Sequence, residues 1–413
     1  MSEELVITRL AHRGDGVAET ASGPVFVPFA LPGERVRIGA VHKGRAVLEA
    51  VLEPSAERAD PACPHFTDCG GCALQHMADG AVAAFKREII AGALKAQGVN
   101  HDAIAPGHAV PLHSRRRVAL QAVKSKAGVV LGFSARGSHS IVNLCDCTVA
   151  HPEIVAALPA IRDLFRTLLS ERSRGGVQVT ASETGLDLDL SLDRDPTLDD
   201  RFDLADWAQA RDWARLSWNG EILSERRAPL LTLNGVPVHL PVGAFLQASA
   251  QTDRLFATLI GQAVQGARTV VDLFSGVGTI ALPLASSHAV AAVEGDKAAC
   301  RALGQAADLA AGQGRIKPVR VMERDLFRRP LMASELKAAQ AVVFDPPRAG
   351  AQAQCEELAK SDVPLIVGVS CDPKSFARDA RLLCEGGYKL KAVTPIDQFR
   401  FSPHVEMIGV FRR

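Results

Sequence analysis

The last third of the chain contains a cysteine and two carboxylates that could together support covalent catalysis. Cys371 follows the apolar run 365–369, Asp345 ends the apolar run 341–344, and Glu406 lies in the last strand-like segment. A thiolate is a strong nucleophile, and a carboxylate can remove a proton from the adduct that the thiolate forms. A lone cysteine beside a strand is usually a core residue, and a lone glutamate is usually a surface charge. The prediction of Cys371 as nucleophile and Glu406 as base therefore depends on their combination.

A glycine-containing segment in the same region is typical of a site for a nucleotide-like cofactor. Residues 272–279 read Asp-Leu-Phe-Ser-Gly-Val-Gly-Thr and follow a predicted strand. Gly276 and Gly278 would allow a tight turn and a close approach of the backbone to a ligand. Glu294 ends the next strand, about twenty residues later, where a carboxylate can accept hydrogen bonds from both ribose hydroxyls.

Two further acidic residues narrow the choice of cofactor. Asp325, in Arg-Asp-Leu-Phe, lies where an adenine contact is expected, and Asp345 follows the next strand. Acidic residues after successive strands, without a phosphate-binding lysine, suit the cationic sulfonium of S-adenosylmethionine (SAM) better than a dinucleotide. The alternative is a Rossmann-like dehydrogenase, for which the sequence contains no second motif.

Alternating strand and helix patterns begin near Gln247 and predict a doubly wound α/β domain over residues 241–413. The short apolar runs are typical of buried parallel strands, and the stretches between them have helical periodicity. The predicted strands are 269–273, 289–293, 341–344 and 365–369, and the predicted helices include 298–311 and 375–384.

A length of 413 residues indicates two or three domains. Short strands with turns in residues 1–57 predict a small β-barrel of the kind that often binds RNA, with a plain packing module as the alternative. Residues 58–240 are predicted to form a central α+β domain. Its expected elements are a helix at 80–96 and strands at 118–123, 129–133 and 140–142.

The nine cysteines are not expected to form a disulfide framework, because the count is odd and the chain is long. Cys63, Cys69 and Cys72 have the spacing C-x5-C-x2-C, and Cys147 follows much later in the chain. Four such thiolates can hold either zinc or an iron–sulfur cluster, and their spacing does not choose between the two.

Charge and hydropathy exclude some classes of protein. The N-terminus has no signal-peptide pattern, and no apolar run is long enough to cross a bilayer, so a cytoplasmic protein is expected. The formal net charge is +1, but every charged residue between positions 106 and 145 is Lys or Arg. This basic stretch would suit a phosphate backbone, while a solvated surface is the alternative. A monomer is the default expectation.

Several short segments along the chain form a recognisable set of motifs. They are Gly14-Asp15-Gly16 with Pro32-Gly33-Glu34, then Phe245-Leu246-Gln247, Asp345-Pro346-Pro347-Arg348-Ala349-Gly350, Ser370-Cys371-Asp372-Pro373 and His404-Val405-Glu406. With these segments, the chain resembles the RNA 5-methyluridine methyltransferases over essentially its whole length. The N-terminal turns resemble that family's RNA-binding TRAM domain, and the other segments resemble its cofactor-binding and catalytic motifs.

The resemblance implies SAM-dependent methylation of uridine carbon 5, which explains the need for a cysteine. Carbon 5 of uracil is a weak nucleophile until a thiolate adds at carbon 6, and a base must later remove the carbon 5 proton. The resemblance also implies that SAM contacts Gln247, Phe274, Thr279, Glu294, Asp325 and Asp345. The chain departs from the family's usual residues at Ser249, Ser275 and Thr279, which puts individual hydrogen bonds in doubt.

The cysteine pattern resembles the [4Fe-4S]-containing members of that family, with Cys147 rather than Cys145 as the fourth ligand. The spacing is not that of radical-SAM enzymes, so the cluster is expected to be structural or to position RNA. The implied substrate is 23S ribosomal RNA, with the T-loop of transfer RNA as the alternative. A redox or radical-SAM enzyme, a non-catalytic RNA-binding protein and an amino-group methyltransferase fit less well, because none of them requires both Cys371 and Glu406.

Overall fold

The N-terminal strands surround one small core. A computed structural model describes residues 3–100 and 102–413 of the protein. The first strands are β1 (Glu3–Val6), β2 (Arg9–Leu10), β3 (Gly16–Thr20), β4 (Gly23–Val27), β5 (Arg35–Ile38) and β6 (Leu48–Glu53). They pair as two three-stranded sheets, β1-β5-β6 and β2-β3-β4, around shared apolar residues. The described pairing does not close into one sheet, so the expected barrel is not established.

A six-stranded sheet forms the centre of the middle region. The elements here are α1 (Asp79–Ala96), β7 (His108–Ala109), β8 (Arg117–Ser125), β9 (Gly128–Gly132), α2 (Pro152–Leu168), β10 (Arg174–Ser182), β11 (Gly185–Ser191), α3 (Leu198–Ala210), β12 (Arg215–Trp218), β13 (Glu221–Glu225), β14 (Leu230–Leu233) and β15 (Val236–His239). The sheet order is β13-β12-β11-β10-β8-β9, and α2 and α3 contribute to its core. The strand expected at 140–142 is wrong: Ile141 makes an isolated bridge to Ser134, and the backbone hydrogen bonds beside it do not extend to a regular strand.

The C-terminal region is the predicted doubly wound α/β domain. Its elements are α4 (Ala250–Ala263), β16 (Thr269–Leu273), α5 (Ala281–Ala285), β17 (Ala289–Glu294), α6 (Lys297–Gly312), β18 (Val319–Glu323), a 3-10 helix (Ala333–Leu336), β19 (Ala341–Phe344), α7 (Gln352–Ala359), β20 (Leu365–Ser370), α8 (Pro373–Glu385), β21 (Lys389–Asp397) and β22 (Glu406–Arg412). The sheet order is β18-β17-β16-β19-β20-β22-β21-β7. The first five strands are parallel, and β22 is antiparallel to both of its neighbours.

Apolar residues cover both faces of this sheet because successive side chains in a strand point to opposite sides. Val343 joins the core that includes residues of α4, α5 and α6. Val342 and Phe344 join the core on the other face, with residues of α1, α7 and α8. The strands of this sheet are therefore fixed from both sides.

Elements from before residue 240 also pack against this sheet. Helix α1 contributes Ile90 and Leu94 to one face, hairpin β14–β15 contributes to the other core, and β7 pairs with β21 at the sheet edge. The division into 1–57, 58–240 and 241–413 stays a prediction, and contacts cross its last boundary. Among the described helices, none is long and apolar enough to cross a membrane.

Candidate active site

The carboxyl ends of three neighbouring parallel strands bring the predicted site residues together. Strand β16 leads into the glycine turn, β19 is followed by Asp345, and β20 is followed by Cys371. Because β16 and β20 pair with β19 from either side, these ends lie side by side. This is the edge at which ligands bind in open α/β sheets.

A chain of hydrogen bonds connects the two acidic residues of this edge. Gln247 Nε2 donates to Asp345 Oδ2 over 2.8 Å. Gln398 Nε2 donates to Gln247 Oε1 over 2.9 Å and to Glu406 Oε2 over 2.6 Å. Asp345 and Glu406 are therefore held by amide groups, which orient a carboxylate without neutralising its charge.

Both carboxyl groups bind protons more tightly than usual. Burial raises the pKa of Asp345 to about 7, against the opposing hydrogen bond from Gln247. Burial, and then the charge of Asp345, raise the pKa of Glu406 to about 8, although the hydrogen bond from Gln398 opposes this. Near neutral pH each group is thus poised between its acid and base forms, as a general base requires.

The thiol of Cys371 lies within the field of these carboxylates. Burial, followed by the charges of Glu406 and Asp345, raises the pKa of Cys371 to about 12, and Arg348 opposes the shift. The guanidinium of Arg348 is 4.0 Å from Asp372 and 3.4 Å from His404 Nδ1. The thiolate, which is the reactive form, is therefore favoured when positive charge enters the site or when the carboxylates are neutralised.

The glycine turn fixes the carboxylate that follows β17. Gly276 N donates to Glu294 Oε2 over 2.8 Å, and Asp296 N donates to Glu294 Oε1 over 2.7 Å. Gly278 has a φ of +100°, and a Cβ there would lie 2.5 Å from Leu303 Cδ1 on α6. Gly278 is therefore required for the turn to pack against the helix.

Asp272, at the end of β16, is an unpaired acid inside this site. Its side chain is fully buried, and within residues 3–100 and 102–413 neither carboxylate oxygen makes a hydrogen bond of ordinary geometry. Burial, with the charges of Asp345 and Glu294 adding to it, raises the pKa of Asp272 well above its usual value. A contact with the Ala281 backbone amide opposes this rise, and burial of an acid without a cation is costly.

The remaining predicted cofactor residues lie in the glycine turn after β16 or after the outer strand β18. Asp325 Oδ1 accepts hydrogen bonds from Phe327 N (3.0 Å) and Arg328 N (3.2 Å), so this acid also stabilises its own turn. The rings of Phe274 and Phe327 are 5.4 Å apart, and Phe274 has a left-handed φ of 61°. Thr279 is partly buried in the glycine turn. A left-handed backbone at a residue other than glycine, as at Phe274, is often found at binding sites.

Comparisons with known proteins agree with this chemistry. The family model for tRNA (uracil-5-)-methyltransferases matches residues 239–413. An uncharacterized RNA methyltransferase of Brucella suis biovar 1 is 45% identical over 99% of this chain and 98% of its own length. A 23S rRNA (uracil(1939)-C(5))-methyltransferase of Halomonas elongata is 34% identical over 98% of this chain and 88% of the relative. The chain belongs to the SAM-dependent RNA uracil-C5 methyltransferase family.

A solved structure supports the same fold for the methyltransferase. Pyrococcus abyssi tRNA (uracil-54, C5)-methyltransferase, in complex with S-adenosyl-L-homocysteine, matches with a TM-score of 0.74. The match covers 99% of this chain and 100% of that chain, with 21% sequence identity. At this identity the likeness establishes the fold, and function must be argued from the site itself.

The four predicted metal-binding cysteines of the methyltransferase line one cavity of about 400 Å³. Burial raises the pKa of Cys72 to about 12, and the charges of Cys147, Cys69 and Cys63 add to the rise. Cys145 is exposed instead, with its Sγ 3.2 Å from His65 Nε2. In the described part of the chain, no group of three or more such side chains is arranged to hold a single metal ion.

The basic stretch of the methyltransferase is largely used inside the protein. Arg116 is buried, with its Nη1 2.7 Å from Asp253 Oδ2 and its Nε donating to Gln247 O over 3.1 Å. Lys124 Nζ donates to Leu169 O over 2.7 Å, and Arg136 pairs with Asp15. These contacts tie segments together, and contact of the basic stretch with a phosphate backbone stays a prediction.

Sequence reasoning missed two polar residues that build the site. Gln398 connects Gln247 with Glu406, and Arg116 holds the backbone of Gln247. A glutamine eight positions before the predicted base was a usable signal for Gln398. Arg116 gave no comparable signal, because its neighbours Arg115 and Arg117 suggested a surface cluster. Ser249, one of the departures from the family pattern, caps α4 by accepting from Thr252 N.

Proposed function

We propose that this methyltransferase transfers a methyl group to carbon 5 of a uridine in structured RNA, with Cys371 as nucleophile and Glu406 as base. The observation that carries the proposal is the hydrogen-bonded chain from Asp345 to Glu406 beside Cys371. A thiol next to two carboxylates of raised pKa suits a reaction that needs both addition and proton removal. It has no evident use in amino-group methylation.

The proposed steps assign one task to each side chain. The Cys371 thiolate bonds to carbon 6, and the electron pair of the carbon 5–carbon 6 double bond moves to form an enolate. Bound SAM would supply the methyl group that carbon 5 accepts, and S-adenosylhomocysteine would leave as the bond between the methyl carbon and sulfur breaks. Glu406 removes the carbon 5 proton, the carbon 5–carbon 6 double bond re-forms, and the bond to Cys371 breaks to release the thiolate. The positive charge of Arg348 favours the thiolate.

Several side chains would hold SAM along the carboxyl edge. The chemistry of the donor set fits a ligand with a sulfonium and an ammonium group, because Asp345 is a half-buried acid that accepts a hydrogen bond from the Gln247 amide and, in the described residues, forms no salt bridge. Glu294, fixed by the glycine turn, suits the ribose hydroxyls. The proposed SAM-binding residues are Gln247, Phe274, Gly276, Gly278, Thr279, Glu294, Asp325 and Asp345.

The uridine must leave its stack to reach Cys371. Carbon 6 of a stacked base is covered by its neighbours, so the target is flipped out or already unpaired. We favour 23S ribosomal RNA, because the Halomonas elongata relative is named for that substrate. Transfer RNA is the second candidate, because the family model and the Pyrococcus abyssi structure are named for it. Mapping 5-methyluridine in total RNA from cells with and without the gene distinguishes these substrates.

Cys63, Cys69, Cys72 and Cys147 are the proposed ligands of a [4Fe-4S] cluster. Two buried and two half-buried thiols around one cavity suit a multi-iron cluster, and the resemblance of the cysteine pattern to [4Fe-4S]-containing members of the family favours this group over zinc. The proposed role is structural, and residues 1–57 would form the TRAM-like RNA-binding module. Iron and sulfide analysis of anaerobically purified protein tests the cluster, and one iron or less per chain would contradict it.

Trapping with 5-fluorouridine tests the proposed chemistry. Fluorine at carbon 5 cannot be removed as a proton, so methylated RNA should stay bound to the protein. Wild-type protein with SAM and substituted ribosomal RNA should give a denaturation-resistant adduct, and Cys371→Ala should give none. Cys355→Ala is a matched control, because Cys355 is a buried core cysteine of α7. Absence of an adduct with wild-type protein on both ribosomal and transfer RNA would contradict the mechanism.

A further inference from the structure

Gln398 occupies a central position between the base and the cofactor side of the site. It directly follows β21 and is 4% exposed. Its Oε1 accepts from Ala248 N over 2.9 Å, and its Nε2 donates to Gln247 Oε1 (2.9 Å) and to Glu406 Oε2 (2.6 Å). Both amide hydrogens and one lone pair are thus engaged, which leaves this buried group well satisfied.

The backbone amide of Ala248 determines the direction of the whole chain of hydrogen bonds. A backbone N–H can only donate, so the group facing it must be the oxygen of Gln398. The Gln398 amide nitrogen must then face Gln247 and Glu406. Because Gln247 receives that donor on its oxygen, its own nitrogen must face Asp345. One backbone group therefore orients donors toward both carboxylates.

The hydrogen bond from Gln398 matters for the chemistry because it is donated directly to Glu406 Oε2, a carboxylate oxygen of the proposed base. A hydrogen bond to a carboxylate stabilises its charged form and restricts its rotation. No Lys or Arg of the described chain forms a salt bridge with Glu406. Gln398 is therefore the side chain that favours the base form of Glu406 against burial.

We propose that Gln398 is a positioning residue that holds Glu406 in the orientation and ionisation needed to remove the carbon 5 proton. The inference rests on the proposed role of Glu406 as the base. It assigns Gln398 to one step of the reaction, the elimination that follows methyl transfer. Addition of Cys371 and transfer of the methyl group do not require a proton acceptor at Glu406.

The backbone around Gln398 is held by contacts that do not involve its side chain. Lys86, which is 2% exposed, lies 2.5 Å from Asp397 Oδ1 and donates to Phe399 O over 3.2 Å. The backbone amides of Ala73 and Leu74 both donate to Phe401 O, over 2.8 and 3.0 Å. A substitution at Gln398 therefore changes the amide group while this segment keeps its anchors.

Two variants of similar volume separate the amide's roles. Gln398→Met removes all three hydrogen bonds, and Gln398→Glu keeps an acceptor for Ala248 N while replacing the donor with a second acid. With ordinary uridine-containing RNA and SAM, both should slow elimination, so a methylated protein–RNA adduct should accumulate that wild-type protein barely shows. Since a positioned base contributes about 10²–10⁴-fold, we expect kcat to fall about 10- to 100-fold. Gln398→Glu should show the larger loss.

The pH profile provides a readout that a purely structural role would not change. The hydrogen bond from Gln398 lowers the pKa of Glu406, so its loss should move the rising limb of kcat to higher pH. Gln265→Met, at an exposed position beyond α4, is the control and should keep the wild-type profile.

Glu406→Gln separates failure of this inference from failure of the proposed function. If Glu406→Gln accumulates the adduct but both Gln398 variants turn over with the wild-type profile, the role of Gln398 is wrong. If Glu406→Gln turns over normally, the base is misassigned and the inference falls with it. Thermal melting of each variant excludes misfolding, and accumulation of the adduct itself requires a folded site.

Discussion

Buried acids are treated differently in two regions of this methyltransferase. In the central sheet, Asp187 accepts two hydrogen bonds from Arg215, over 2.9 and 2.8 Å, and this arginine is 3% exposed. At the carboxyl edge of the catalytic sheet, Asp345 and Glu406 face glutamine amides, and Asp272 has no partner of ordinary geometry in the described chain. The first region neutralises its charge, and the second only orients it.

The difference indicates what each region is for. A buried charge with a matched partner satisfies the fold, whereas several acids close together without cations destabilise the free protein. Binding of a cation or of a proton therefore stabilises such a site strongly. A sulfonium cofactor supplies the cation, and the raised pKa values of Asp345 and Glu406 make protonation accessible near neutral pH.

The largest expected effect is a loss of turnover when an acid at the carboxyl edge of the catalytic sheet is replaced. Glu406→Gln removes the base but keeps an oxygen that can accept from Gln398, so steady-state methylation should fall about 10²–10⁴-fold. Removing a buried negative charge should also relieve repulsion with Asp345, so the cofactor-free variant should melt at a higher temperature than wild type at pH 8. A tritium-release assay and thermal melting measure the two effects. A variant that loses activity and also melts earlier would show that Glu406 stabilises the fold.

Breaking the Asp187–Arg215 pair of the central sheet should have the opposite effect, a loss of stability with little change in activity. Arg215→Met leaves Asp187 buried without its cation, which costs about 3–5 kcal/mol of unfolding free energy. Urea unfolding should show this loss, while the activity of the remaining folded protein stays near wild type. The double variant Arg215→Met with Asp187→Leu should recover much of the stability, because it removes both charges. Equal instability of the single and double variants would mean that packing around Arg215, not charge, is what matters.

The strands and the chemistry of the edge could be predicted from sequence because both leave local patterns. Runs 269–273 and 341–344 form β16 and β19 with the predicted bounds. In parallel sheets, the residue after each buried strand lies on the same edge. This rule is enough to group Asp345 with Cys371 before any coordinates are known.

The supporting residues could not be predicted because their partners are distant in sequence. Gln398 bonds to a side chain 151 positions away, and Arg116 bonds to Asp253, 137 positions away. Local periodicity reports which side of an element is buried, not what the buried group meets there. The strand prediction at 140–142 is also wrong, because a short apolar run can pair with a neighbouring segment through too few hydrogen bonds to form a regular strand.

The third expected effect is a fall in the stability of the cofactor-free protein as pH rises. Unfolded Asp and Glu lose their protons near pH 4, whereas Asp345 and Glu406 hold theirs to about 7 and about 8 because of burial. Between these limits the folded state binds more protons, so stability falls with pH, by at most about 1.4 kcal/mol per pH unit for each group. The loss should level off only about one pH unit above the pKa of Glu406, when both groups are fully ionised in the folded protein. Melting temperatures from pH 5 to 9 measure it, and the double variant Asp345→Asn with Glu406→Gln should flatten the curve.

The smallest expected effect is a change in the affinity for a charged ligand relative to that for its uncharged counterpart. SAM carries a sulfonium charge that S-adenosylhomocysteine lacks, so Asp345→Asn should weaken SAM about tenfold and S-adenosylhomocysteine much less, a difference of about 1.4 kcal/mol. Phe327→Ala is the matched control. This exposed ring beside Phe274 offers apolar contact only, so its loss should weaken both ligands by a similar factor. Isothermal titration calorimetry at pH 8, where Asp345 is largely ionised, measures both affinities. Equal weakening of the two ligands by Asp345→Asn would show that Asp345 acts by hydrogen bonding, and that its charge is not what recognises the sulfonium.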